Sequence, residues 1–386
     1  MKPLALTGLG IVSAIGIGRE AFFRAMHAPL PLAKQPARAV ETLDATRYPD
    51  ARVAEVPTFD PAKYLGDKGL RSLDRLTKLL VVAARLAIHD AGFKKDGAYV
   101  SSSPERVGLC CSNAYGSLEA ITELDRVAKL EDARYINPAK FPNTVANSAS
   151  GYVSIWEDLR AFNVSVSDGN CGALDAAACA EVYLETGRAD AVLVGGGEAL
   201  SEALYLAFHK LGAFDEASSR LGEGAALLAM EPLELAHKRG AHVRAELTGY
   251  GTSFVAPEGA SGLIHASADA MERAIASAIV DAKVEARNVD VVASGISGLQ
   301  AFDARELDAI DRVLGKRVVV AAPKALLGET LGAGGGMGMA AALAWLDGAP
   351  PATIVRGELS TDVRTVLVTS MGFYGNASAV IVRRAT

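Results

Sequence analysis

The sequence predicts an α/β protein built around a buried sheet, and three observations carry that expectation. Short β-branched runs alternate with Ala-rich stretches of helical pattern. Glycine, at 38 of 386 residues, gathers at the ends of the apolar runs. Two segments, one starting at Asn163 and one at Arg317, look like copies of a single device: a strand, a Gly-containing turn, a small-residue helix and a polar exit.

In chain order, the apolar, Gly-punctuated opening from Met1 to Gly16 reads as a strand. It lacks a basic region and a small-residue cleavage site, so it does not read as a signal peptide. Leu73–Ala91 carries helical periodicity, and Arg106–Cys111 is a buried strand. Asn163–Ser167 is the next strand, followed by the helix Ala173–Thr186 and the strand Ala189–Val194. Ala268–Ala282 is a helix, Val289–Ala293 a strand and Ala304–Leu314 a helix. The strand Arg317–Ala321, the helix Gly334–Leu346 and the strand Val366–Thr369 complete the series. Small residues on the helices after Asn163 and Arg317 permit close packing, which predicts two central helices lying back to back. A duplicated α/β unit is the simplest reading, with two independent domains as the alternative. The charged stretch His237–Arg244 is the seam, which divides the chain into halves 1–244 and 245–386.

Composition excludes several classes. Half the residues are hydrophobic and 22% are charged, so the chain is not disordered as a whole. A net charge of −6 without like-charge runs argues against nucleic acid as a partner. No apolar stretch of about 20 residues avoids Gly, Pro or charge, so no membrane span is expected. Four cysteines, with Cys110 and Cys111 adjacent, make neither a disulfide framework nor a zinc pattern. A cytoplasmic protein without metal or other cofactor is the expectation.

Several blocks resemble the β-ketoacyl-acyl carrier protein synthase family of the thiolase-like fold. They are Thr7–Gly18, Phe59–Leu79, Phe141–Ile155, Gly187–Ala199 and Gly222–Ala241, and the likeness runs nearly end to end. The resemblance implies a five-layered αβαβα fold of two related halves, normally dimeric. It also implies decarboxylative Claisen condensation, with a Cys nucleophile at a helix start and two His residues. A helix N-terminus favours the thiolate, and the imidazoles stabilise the developing enolate.

At the family's three catalytic positions the residue types differ. The nucleophile position, counted back from Gly187-Arg188-Ala189-Asp190, falls on Asn170. The first His position is Ser294, in Ser294-Gly295-Ile296, and the second is Glu329, five residues beyond Lys324. An amide cannot carry an acyl group, and a carboxylate would repel the enolate. The triad is thus read as degenerate, with no catalytic residue expected. Cys171, one residue on, is either a shifted nucleophile or a buried thiol of the core. A one-residue step turns a helical side chain by about 100°, away from the old pocket. Lys324 and Glu306 survive from the family pattern and read as structural ion-pair candidates. Gly372-Phe373 and Gly375-Asn376 resemble the family's C-terminal glycine-rich loop, which implies a part for Phe373 in gating acyl entry; Met371 and Tyr374 stand where Phe and Gly are expected.

The segment Asn170–Ala176 is similar to that of chain-length factors, the noncatalytic partners in type II polyketide systems, with Asn in place of Gln. Tyr115 stands where ketosynthases carry a smaller aliphatic residue, and reads either as a gate in the acyl tunnel or as interface packing. The expectation is a noncatalytic subunit that pairs with an active ketosynthase paralogue, shapes its acyl tunnel, meets an acyl carrier protein and serves polyketide, aryl-polyene or fatty-acid-like chain elongation. The alternatives are a malonyl-carrier-protein decarboxylase and an acyltransferase of altered chemistry using Cys171.

Overall fold

The computed structural model describes residues 2–34, 40–213, 220–257, 264–351, 353–359 and 362–385. Among the described residues, eleven strands form the main path of one sheet. They are β1 (Leu4–Ser13), β2 (Val107–Ser112), β3 (Asn163–Val166), β4 (Ala191–Glu198), β5 (Gly224–Pro232) and β6 (Ala245–Phe254). The remainder are β7 (Val291–Ala293), β8 (Val319–Ala321), β9 (Ile354–Arg356), β10 (Thr365–Met371) and β11 (Asn376–Arg383). The helices that matter for the site are α1 (Arg75–Asp90), α2 (Ser148–Glu157), α3 (Gly172–Glu185), α4 (Ala268–Ala282), α5 (Gln300–Leu314) and α6 (Gly334–Leu346).

The strand order is the same device written twice. Outward from the middle, one side runs β1-β5-β4-β2-β3 and the other β6-β11-β10-β7-β8, with β9 added at the far edge. On each side the first two pairings are antiparallel and the next two parallel. The two runs join through a short antiparallel register, Leu4 to Leu6 against Leu247 to Ala245.

The duplication reaches individual residues. Thr7-Gly8-Leu9-Gly10 in β1 and Thr248-Gly249-Tyr250-Gly251 in β6 occupy equivalent places, and the pairing register shifts just before each first glycine. A Cβ at Gly10 would lie 1.8 Å from the Ala83 carbonyl oxygen of α1, and one at Gly251 2.1 Å from that of Ala274 in α4. Only glycine lets each opening strand press its backbone onto the helix outside it.

These contacts set the layers. Helix α1 covers one half of the sheet from outside through Leu79, Leu80, Ala83 and Ala87. Helix α4 does the same for the other half through Met271, Ala274, Ile275 and Ala278. Between the sheet halves lie α3 and α6, in a shared core with β1, β4, β7 and β10. All residues of α6 are buried, as a helix that is apolar all round must be. It approaches α3 closely, since a Cβ at Gly335 would meet Leu174 at 2.9 Å and Ala173 at 3.2 Å. This is the expected αβαβα layering with back-to-back inner helices. Among the described residues no helix is long and apolar enough to cross a membrane.

Candidate functional site

The loops after the parallel strands converge from both halves, where open α/β sheets place their sites. The first half supplies the turn after β3 that carries Asn170, the turn after β2 that carries Tyr115, and Glu198 at the end of β4. The second half supplies Ser294 after β7, Lys324 and Glu329 after β8, and the end of β10.

Asn170 sits in a buried 3-10 turn, Gly169–Cys171, that runs straight into α3. Its side-chain NH2 donates to the Met371 carbonyl at 3.3 Å, and its own carbonyl accepts from the Ser370 hydroxyl at 2.6 Å. The turn is thereby stitched to the end of β10, so the Asn170 turn of one half rests on the other half. The Asn170 Oδ1 is buried and has no protein donor.

Ser294 is buried, and both its N–H and its hydroxyl donate to the Ala321 carbonyl, at 2.9 and 2.8 Å. The hydroxyl is therefore used in strand pairing. Glu329 is fully buried and accepts from the Lys324 ammonium at 2.7 Å and from the Leu331 N–H at 2.9 Å. That second bond closes a turn in which Leu331 holds a φ of 47°, a costly conformation for a branched residue. Removing either member of the Lys324–Glu329 pair would leave the other as an uncompensated buried charge. Glu306 takes its hydrogen bonds from the Gly295 N–H at 2.8 Å and the Thr369 hydroxyl at 2.5 Å, and burial raises its pKa. Thus Lys324 finds its ion-pair partner in Glu329, while Glu306 braces the turn behind Ser294.

Cys171 is buried, and its thiol donates to the Ser370 carbonyl at 3.3 Å. Burial pushes the thiol well above its ordinary range, and the neighbouring Asp175 and Asp168 carboxylates push it further. A nucleophile needs the opposite environment. Asp175 itself accepts from the Tyr250 hydroxyl at 2.8 Å and the Ser378 hydroxyl at 2.5 Å. Burial, and then its hydrogen bond with Asp168, raise its pKa.

An aromatic chain links these loops. The Tyr115 ring meets Phe208 edge-on at 6.5 Å, Phe208 lies 6.1 Å from Phe373, and Phe373 meets Phe302 at 5.2 Å. Phe373 is buried, whereas Tyr115 is 37% exposed. Burial is the main cause of the raised Tyr115 pKa, and the neighbouring Tyr374 raises it further. The two aromatic substitutions read from the sequence are therefore neighbours. The His265 N–H donates to the Phe373 carbonyl at 2.7 Å, so this histidine enters the site through its backbone.

Sequence reasoning passed over Glu198 as a site residue. It is buried at the end of Gly195-Gly196-Gly197 and takes hydrogen bonds from both halves. Burial raises its pKa to about 7 against three backbone N–H donors. A carboxylate closing a glycine run at a strand end was the available signal.

Two duplicated half-sheets, inner helices back to back and a functional turn at the start of a buried helix define a thiolase-like protein. The chain belongs to the beta-ketoacyl synthase family: the family's N-terminal domain matches residues 1–236 and its C-terminal domain residues 244–354. It is 28% identical to 3-oxoacyl-[acyl-carrier-protein] synthase 2 of Coxiella burnetii over 99% of each chain. It is 29% identical to the protein of that name from Rhizobium meliloti over 100% of each. A beta-ketoacyl synthase from Burkholderia phymatum superimposes with a TM-score of 0.85 at 27% identity, covering 100% of both chains. The ishigamide ketosynthase/chain length factor shares the fold with a TM-score of 0.89 at 24% identity, again over 100% of both chains.

Proposed function

We propose that this chain is a noncatalytic ketosynthase-like subunit that pairs with an active 3-oxoacyl-carrier-protein synthase and shapes its acyl tunnel. One observation carries the reading: all three catalytic positions hold residues unable to condense, and each is tied into the protein's own structure. Asn170 is stitched to β10, Ser294 to β8, and Glu329 to Lys324. Loss of a malonyl carboxyl group needs donors at the developing enolate oxygen, and a carboxylate at Glu329 opposes that charge. This weighs against the decarboxylase alternative. The buried, acidic surroundings of Cys171 weigh against acyl transfer through it.

The surface around β3 supports a partner. Among the described residues it is an edge strand that pairs with no strand other than β2, and an open edge is a template for another chain. Beside it α2 leaves Ile155 75% exposed and α3 leaves Val182 59% exposed. A permanent pair formed along this edge would bury well above about 1,000 Å2. A polyketide or aryl-polyene chain is the product class we assign, with an acyl carrier protein delivering the extender units.

Tyr115 tests the tunnel role. Co-produced with an active ketosynthase, Tyr115→Ala should lengthen or broaden the products while the heterodimer stays intact, and Tyr115→Trp should shorten them. An unchanged length distribution in both variants, with the complex intact, assigns the ring to packing against Phe208.

A further inference from the structure

The structure assigns Glu198 as the positioning residue that holds the Tyr115 turn in place, by clamping it to the Gly332 turn of the opposite half. This deepens the proposed tunnel role and rests on it for the consequence in product length. Glu198 Oε2 accepts from the Ala114 N–H at 2.7 Å and from the Gly332 N–H at 3.2 Å, while Oε1 accepts from the Tyr115 N–H at 3.3 Å. The carboxylate thus satisfies three main-chain donors on two loops that come from different halves of the molecule.

The surrounding sequence is built to let this happen. A Cβ at Gly196 would lie 2.2 Å from the Gly332 carbonyl oxygen, and one at Gly332 2.5 Å from the Ala114 nitrogen. Strand end, Gly332 turn and Tyr115 turn therefore touch backbone to backbone, which leaves no room for side chains to orient the loops. A single acceptor at the end of β4 does so instead. On its other side the Gly332 turn is fixed through Leu331 by Glu329. Two buried carboxylates, one from each half, therefore bracket Leu331 and Gly332. The second catalytic position and the gate turn become one mechanical unit.

An amide at position 198 would present one acceptor and one donor to three donors, so it cannot reproduce the clamp. Aspartate keeps the charge and both acceptors but is one methylene shorter. The test is hydrogen exchange on the heterodimer with an active ketosynthase, read at the Ala114, Tyr115 and Gly332 amides, with the β5 amides of Leu227 and Leu228 as internal reference. Glu198→Gln should speed exchange at the three amides by about tenfold or more and leave β5 unchanged, and Glu198→Asp should fall between it and the wild type. Product length should broaden in the same direction as for Tyr115→Ala. Local loss of protection with unchanged product length still upholds the clamp, and removes only the gating role of Tyr115. Unchanged protection at the three amides in both variants overturns the proposal. So does loss spread equally over β5, because Glu198 is then an ordinary core residue. Should the Gln variant fail to assemble, the Asp variant alone decides on the same two criteria.

Discussion

At the scale of single residues, the turn before α3 gives Cys171 surroundings that disfavour its thiolate. Asp168 and Asp175 share a hydrogen bond beneath it, with Tyr250 and Ser378 also bonding to Asp175. Asp175 holds its proton in the folded protein at pH values where an unfolded aspartate, with a pKa of about 3.9, has lost it. Folding therefore takes up a proton above that value. The associated stabilisation is complete below about pH 4 and is lost as pH rises through the higher folded value. Asp175→Asn should remove this part of the pH dependence, because its amide donates to Asp168 as the protonated acid does. Unfolding free energies at about pH 5 and pH 8 should show the variant gaining on the wild type at the higher pH. Parallel pH profiles would mean that Asp175 is ionised in the fold.

At the scale of elements, the packing of α6 on α3 fixes the site, since these helices carry the Asn170 turn and follow the Glu329 turn. Gly335→Val would push two methyl groups into Leu174 and Ala173. Overpacking of this kind costs about 1–3 kcal/mol, and urea unfolding should show a midpoint lowered accordingly. A variant as stable as the wild type would show that the inner helices have slack. Much of this layer was legible in the sequence. Ala268–Ala282 and Gly334–Leu346 have the expected bounds because small-residue periodicity runs their whole length. Helix α1 begins two residues later than expected because Asp74 caps it, accepting from the Thr77 N–H at 2.7 Å. Strand β4 continues past Val194 through three glycines to Glu198, where β propensity ends but pairing with β5 goes on. The strands β6 and β11 were not singled out, although Thr248-Gly249-Tyr250-Gly251 repeats the opening Thr7–Gly10 pattern. A two-glycine repeat is too short to stand out before the shared helix packing is seen. In the site, Asn170, Ser294 and Glu329 were located by their spacing from retained blocks. The bonds that hold Asn170 reach into the other half, and Ser294 is held by a strand 27 residues on, contacts that no local pattern encodes; only the Lys324–Glu329 pair is local.

At the scale of the whole molecule, duplication makes the site a joint between two halves. Asn170 is held by β10, Gly332 by Glu198, and Asp175 by Tyr250 and Ser378. Such a joint holds the ketosynthase frame together independently of which residues occupy the Asn170, Ser294 and Glu329 positions, as the proposed partner-subunit role requires. The most direct test offers acyl- and malonyl-carrier protein to the purified chain, to an active ketosynthase, and to the two together, measuring acylation, CO2 release and chain elongation. This chain should take up no acyl group and release no CO2 above background alone, while the pair should elongate to a length set by this subunit. Stoichiometric acylation at Cys171, or CO2 release by the chain alone, would contradict the noncatalytic role.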